Sequence, residues 1–268
     1  MTQVTAAPAR TRAQIAERTL RKDPWWRAPA VTATLLTIWV AYATARVFMG
    51  HWYYVPQYHY LTPFYSPCIN GECVPGSSSL GHWLPALPPI IPYALVSLPF
   101  ILGFRLSCYY YRRAYYRSFW QAPTACAVRE PHATYSGETR FPLIMQNLHR
   151  YFFWVTVAVS VLNTYDLIQA FHGKTGGVGL GLGTLIMLVN VVLLWGYTLG
   201  CHSCRHITGG RLKNFSKHPV RYWAWTRVSW LNARHMQFAW TTLGTLMLTD
   251  LYIALLAAGV FSDPRIFN

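Results

Sequence analysis

Val178–Gly200, VGLGLGTLIMLVNVVLLWGYTLG, runs directly into Cys201-His202-Ser203-Cys204-Arg205-His206, and this junction decides the fold. The first part holds no charged residue and is long enough to cross a bilayer as a helix, which takes about 20 apolar residues. The second part is polar, and Cys201, His202, Cys204 and His206 can all bind a metal. Soft and borderline ligands at the mouth of a membrane helix suggest redox chemistry at the membrane surface.

Working outward, four more stretches approach spanning length: Ala28–Met49, Leu87–Leu106, Tyr151–Phe171 and Phe238–Phe261. Only 12% of the 268 residues are charged, about half the share in soluble domains. The expected fold is all-α, an integral membrane bundle of five transmembrane helices over residues 28–261. The Lys and Arg residues sort by connection. Tail 1–27 and connections 107–150 and 201–237 hold nearly all of them. Loop 51–86 holds none, Lys174 is alone in the third connection, and Arg265 is alone in tail 262–268. Cytoplasmic loops carry this excess, so the N-terminus is expected in the cytoplasm and the C-terminus outside. The net charge of +15 is then a topology signal, and a nucleic-acid surface is excluded as the reading. The long charged tail before a span-length run is not a cleaved signal. Trp25 and Trp26 stand where an interfacial anchor belongs. The localisation expected is the plasma (inner) membrane, multi-pass.

The loop 51–86 is aromatic and rich in Pro, Gly and Ser. Its Cys68-Ile-Asn-Gly-Glu-Cys73 segment reads as a tight turn closed by a Cys68–Cys73 disulfide, which the oxidising side permits; the loop is expected to cap the bundle. Span two is expected to run on as helix through Cys108-Tyr-Tyr-Tyr-Arg-Arg-Ala-Tyr-Tyr-Arg117 and to break at Gln121-Ala-Pro-Thr-Ala-Cys126. Arg129 to Phe141 reads as a polar loop, and span three is expected to start near Pro142. Gly177, Gly179, Gly181 and Gly183 alternate with larger residues, a pattern that allows close helix contact. Gly209-Gly210 should end the helix after the Cys/His stretch. A loop through Lys213, Lys217 and Arg221 follows.

Arg46, Asp166, Asp250, Asn163 and Asn190 lie within or near the apolar spans, where ionisable groups are costly and usually paired or functional. Arg46 and Asp166 both fall near the outer ends of their spans, which suggests an ion pair between them. Asp250 lies closer to mid-span and suits either a packing hydrogen bond or a proton path.

On this topology Cys108 ends span two, His149 begins span three, Cys201–His206 end span four and His235 begins span five, all at the inner level. Four helices thus bring a ligand to one depth. Cys126, His132 and His218 lie in adjoining loops. A haem between His149 and His235, a Rieske-type [2Fe–2S] cluster with two Cys and two His, and a structural zinc are the centres such a set could hold. The loop motifs of soluble Rieske domains are absent.

At Cys108-Tyr-Tyr-Tyr-Arg-Arg-Ala-Tyr-Tyr-Arg, Gln146-Asn-Leu-His-Arg-Tyr-Phe-Phe and Gly200-Cys-His-Ser-Cys-Arg-His-Ile-Thr-Gly-Gly the chain resembles the membrane-anchor (cytochrome b-like) subunit of actinobacterial succinate dehydrogenase, the single five-helix anchor branch of respiratory complex II. The resemblance implies a flavoprotein partner that oxidises succinate, an iron–sulfur partner, membrane lipid around the bundle, and a quinone as electron acceptor. Most single-chain anchors hold two b haems through four histidines at two depths, a pattern this chain lacks. The actinobacterial resemblance favours a Rieske-type [2Fe–2S] cluster on Cys108, Cys201, His149 and His235, with Cys126, Cys204 and His206 as substitutes; haem b is the alternative. His202, Cys204 and His206 would then support the site. Candidates for the quinone pocket or docking surface are Tyr110, Arg112, Arg113, Arg150, Tyr151 and Trp223. The rival from another class is a transporter or lipid-binding membrane protein, with Asp166 and Asp250 as coupling residues and a structural zinc at the Cys/His set.

Overall fold

Apolar runs this long fold as helices, because inside a bilayer a backbone must satisfy its own hydrogen bonds. A computed structural model describes residues 22–68, 88, 91–92, 94–126, 128, 131 and 143–268. Among them are eight α-helices: α1 (Arg27–Met49), α2 (Ala94–Ser107), α3 (Tyr109–Tyr115), α4 (His149–Gln169), α5 (Leu182–Leu199), α6 (His202–Gly209), α7 (Pro219–Asn232) and α8 (His235–Ala257). Helices α1, α4 with its preceding 3-10 turn, α5 and α8 are long and apolar enough to cross a membrane. Helix α2 supplies a shorter apolar stretch, Leu98–Ser107; most of residues 87–93, the start of the second expected span, lies outside the described residues.

Helix α5 packs along α8, and α4 lies between α2 and α5. Their outward faces stay apolar: Val31, Leu35 and Ile38 on α1, Val161 and Ile168 on α4, Val189 and Val192 on α5, and Leu248 on α8 are all exposed. A helix apolar on every side is suited to lipid rather than water.

Three expectations change here. The helix of span two does not run on past the membrane. Cys108 is extended (φ −67°, ψ 133°) and starts a separate helix, α3, which widens into a π turn over Tyr116–Trp120. The basic stretch after Gly210 is not all loop, because Pro219, at the first turn where its missing N–H costs nothing, opens α7. Helix α7 packs on α6: the Arg205 guanidinium lies 5.0 Å above the Trp225 ring and its Nε donates to Ser229 Oγ at 3.0 Å. The alternating glycines serve the C-terminal tail and Tyr60 rather than a helix crossing. Leu180–Gly181 form strand β3, paired antiparallel with β4 (Arg265–Phe267). A Cβ at Gly181 would collide with the Asp263 carboxylate, and one at Gly183 with the Tyr60 ring.

The opposite end from the Cys/His residues is capped by the loop after α1. Strands Tyr54–Val55 and Tyr60–Leu61 form a hairpin, and a 3-10 turn over Pro63–Tyr65 follows. Tyr60, Leu61 and Phe64 are buried. The Tyr65 hydroxyl donates to the carbonyl of Arg46 at 2.9 Å, satisfying a helix end. Cys68 is disulfide-bonded; Cys73, its expected partner, lies outside the described residues.

The ion pair of α1 is also a correction. Arg46 Nε donates to Asp250 Oδ2 at 2.6 Å, where the sequence reading expected Asp166. Asp166 instead accepts from Ser66 Oγ of the capping loop at 2.5 Å. The other nitrogens of Arg46 donate to the carbonyls of His51 and Trp52.

Candidate metal centre and adjoining cavities

Cys108 and Cys201 occupy equivalent places. Each is the extended residue between a membrane helix and a short following helix, and each is the N-cap of that short helix. The chain turns sharply at both, which aims the side chain back into the bundle. Cys201 Sγ accepts from the Ser203 amide at 3.3 Å. His149 and His235 open α4 and α8 at the same end.

These four side chains meet. His149 Nε2 lies 3.0 Å from Cys201 Sγ, and Cys108 Sγ lies 3.7 Å from His235 Nε2. The two pairs are themselves neighbours, since His149 stacks on Phe104, the Phe104 ring meets Tyr197 at 5.3 Å between centroids, and Tyr197 stacks on His235. Cys108, Cys201 and His235 are at most 1% exposed. Among the described residues, no three Cys, His, Asp or Glu side chains gather as for one common ion. The arrangement is two adjacent pairs, each of one thiol and one imidazole.

Aromatic rings fix the imidazoles. His149 stacks on Phe104 with centroids 4.7 Å apart and planes 4° apart; His235 stacks on Tyr197 at 4.8 Å and 3°. Ser107 sets the His149 tautomer. Its hydroxyl donates to the Gly103 carbonyl at 2.6 Å, so its oxygen, 2.8 Å from His149 Nδ1, is left to accept the Nδ1 proton. Nε2 then carries its lone pair toward Cys201, as a metal ligand requires. Among the described residues, Nδ1 of His235 is buried without a partner.

Burial pushes the Cys201 thiol up to about 12 and raises Cys108 as well. Two neutral thiols are therefore the resting state of these groups by themselves, and a bound metal would be what deprotonates them. The donor set of two sulfurs and two imidazole nitrogens, dry and oriented, fits a Rieske-type centre in kind and number.

The substitutes are placed elsewhere. Cys126 is exposed, and Cys204 is buried on α6, three residues beyond Cys201. His206 lines a cavity of about 500 Å³ with Arg150, Trp154, His202, Ile207, Arg211 and Arg221. His202 also comes within 6.4 Å of the His235 ring. His132 lies outside the described residues.

The expected quinone residues divide. Arg150 lines that basic cavity, and the Tyr110 ring lies 5.7 Å from His235. Arg113, Tyr151 and Trp223 are exposed, with Arg227 over the Trp223 ring at 5.7 Å, and the Arg112 guanidinium lies over Tyr109.

A second cavity, about 630 Å³ and largely apolar, opens between α1, α2 and α3; its walls include Trp39, Val40, Leu102, Leu106, Phe119 and Trp120. Its polar wall is Arg105, 5% exposed, whose Nη1 donates to the Tyr111 hydroxyl. Tyr111 in turn donates to the Ala239 carbonyl. Sequence reading gave Arg105 no part in the site. The signal was there in a single cation four residues before a tyrosine cluster, but it does not say which way the guanidinium turns.

A family model described as "Actinobacterial succinate dehydrogenase subunit SdhC" matches residues 27–259. The chain is similar to one in a solved structure described as "Mycobacterium smegmatis Sdh1 complex in the apo form": 64% identity, 97% of this chain and 98% of that chain covered, TM-score 0.88. No curated protein matches the chain.

Proposed function

The chain belongs to the actinobacterial succinate dehydrogenase SdhC family, and from that premise we propose that it anchors the complex in the plasma membrane and carries electrons to a quinone. The proposed topology has five spans, α2 with the residues before it being the second. The N-terminus and the Cys/His end face the cytoplasm, and the C-terminus faces outward. The sorting of Lys and Arg supports this orientation. The partners in this reading are a flavoprotein and an iron–sulfur subunit, docked on the basic end. The exposed Arg113, Tyr151 and Trp223 suit that docking surface or its quinone-accessible rim, and Arg150 and Tyr110 lie nearer the centre.

The observation that carries the reading is the meeting of Cys108, His149, Cys201 and His235 from four helix ends. Those four would hold a Rieske-type [2Fe–2S] cluster. Bound there, the cluster would supply one-electron transfer between the docked partner and the quinone. The chain's own residues prepare the place: Ser107 orients His149, Phe104 and Tyr197 clamp the imidazoles, and the buried wall excludes water. Haem b would need both Nε2 atoms to face an open slot, whereas each faces a thiol. A four-coordinate zinc would need more than two ligands around one point. The overall chemistry balances: succinate gives up two electrons and two protons in the partner to become fumarate, and the quinone takes up two of each to become quinol.

The test is made on the complete complex. His149→Ala with His235→Ala should abolish quinone reduction while succinate oxidation with an artificial acceptor continues. Iron and acid-labile sulfide should fall together. Unchanged quinone reductase activity would sink the assignment. Zinc in place of iron would favour the rival membrane protein with a structural metal.

A further inference from the structure

We propose that the basic cavity between the start of α4, α6 and the start of α7 binds the phosphate of an anionic phospholipid from the inner leaflet, with the acyl chains laid along α4. The inference goes beyond the electron-carrying reading. It takes from that reading only the orientation of the bundle in the membrane.

The charge of the cavity is the first observation. Arg150, Arg211 and Arg221 line about 500 Å³ together with His202 and His206, and no Asp or Glu stands among the lining residues. The side chains of Arg150 and Arg211 make no hydrogen bond or ion pair among the described residues. Three guanidinium groups around one space repel each other until an anion enters. Guanidinium groups match phosphate oxygens in geometry as well as charge.

Arg221 shows that the place is built. Its Nε donates to the Thr208 carbonyl at 3.0 Å, and its Nη2 donates to the carbonyls of Ile207 and Gly210 at 3.2 Å. Those carbonyls belong to the end of α6, where a helix leaves acceptors unsatisfied. The guanidinium is held there while Nη1 keeps its donors for the cavity. A phosphate bound between Arg150, Arg211 and Arg221 would tie α4 to the α6–α7 pair.

The apolar walls decide which phosphate enters. Trp154 lines the cavity one turn after Arg150 on α4 and is exposed. Val161 and Ile168 follow it at intervals of seven, both exposed, and continue the same side of the helix. This is the face turned to lipid. Ile207, also exposed, stands across the cavity. A free phosphate has no use for these walls, and neither has an acidic peptide. A phospholipid uses both, the headgroup at the arginines and the chains on the α4 stripe. Basic pockets on the cytoplasmic side of a helical bundle are a recurrent form of lipid headgroup site.

The experiment uses the complete complex in detergent, with phosphatidylglycerol as probe and native mass spectrometry as the readout. Phosphatidylglycerol should stay bound through washing that removes phosphatidylcholine. Arg150→Gln with Arg211→Gln should weaken its binding by about tenfold or more, the order expected for losing two charge-assisted contacts. The corresponding pair of Lys substitutions should keep part of the affinity, since the charge remains. Trp154→Ala should weaken phosphatidylglycerol while leaving inorganic phosphate binding as it was. Arg227→Gln, exposed on α7 and outside the cavity, should change nothing. Thermal unfolding should fall on delipidation and recover with added phosphatidylglycerol in the unmutated complex but not in the double Gln variant. Equal retention of phosphatidylglycerol by the double Gln variant overturns the site. Displacement of the lipid by inorganic phosphate at equal concentration overturns it too, as a site for the free anion. Loss of the iron–sulfur subunit from the double Gln variant, with lipid binding unaltered, assigns the cavity to subunit docking instead.

Discussion

Arg46 and Asp250 form a two-point ion pair between α1 and α8, Nε to Oδ2 at 2.6 Å and Nη2 to Oδ1 at 3.3 Å, with both side chains removed from solvent. Tyr42 adds a hydroxyl to Oδ2 at 2.6 Å. Every strong donor around the carboxylate is thus spent on structure. That occupation weighs against Asp250 as a coupling residue of a transporter.

Breaking this pair from one side should be costly. Asp250→Leu leaves the guanidinium buried and unpaired, an expected loss of about 3–5 kcal/mol. The double variant Arg46→Met, Asp250→Leu should recover most of it, since two apolar groups need no partner. Thermal unfolding of the detergent-solubilised complex checks both. A double variant no more stable than the single one contradicts the account.

Ser107 fixes the tautomer of His149, so Ser107→Ala should weaken metal binding without removing a ligand. Loss of such an orienting group typically costs about 10–100-fold in metal affinity. Iron retention against a chelator is the measurement. Retention equal to that of the unmutated complex would show that the hydroxyl has no such role.

The cysteines should separate cleanly. Cys201→Ala should remove most of the iron assigned to this subunit, whereas Cys126→Ala, at an exposed position, should remove none. Cys204→Ala should cost some stability through its buried contacts but keep the metal. Iron analysis with the partner subunits' content subtracted decides among them.

At the opposite end His59 and His172 stack face to face, 4.0 Å between centroids. Burial, and then the nearby His172, hold His59 below its usual value of 6.5. Below 6.5 the unfolded chain takes up a proton that folded His59 resists, so stability falls as the pH drops from the unfolded toward the folded value. Amide exchange in the Tyr54–Leu61 hairpin, corrected for its intrinsic pH dependence, should therefore speed up on acidification. His59 has a positive φ of 53°, which Asn tolerates, and His59→Asn should flatten the response.

Much of this protein was legible in order along the chain. Span-length apolar runs, the sorting of Lys and Arg, and the return of Cys and His to one level are local or cumulative properties. They need no knowledge of which helices touch. The extended backbone at Cys108 was not legible, because Ser-Cys-Tyr-Tyr-Tyr has no breaker and the turn is imposed by packing around the thiol. Nor was α7, whose aromatic and basic residues read equally well as an interfacial loop.

By itself, then, the sequence determined a membrane helical protein with a ligand-bearing end and a resemblance strong enough to name its family. Only the tertiary structure decided that Arg46 pairs with Asp250, that His149 meets Cys201 while His235 meets Cys108, and that Arg105 turns into an apolar cavity. The reason is physical. A helix that is apolar all round gives no periodic signal of which face turns inward. Helix rotation, and with it every contact between distant residues, is set by side-chain packing among the assembled helices.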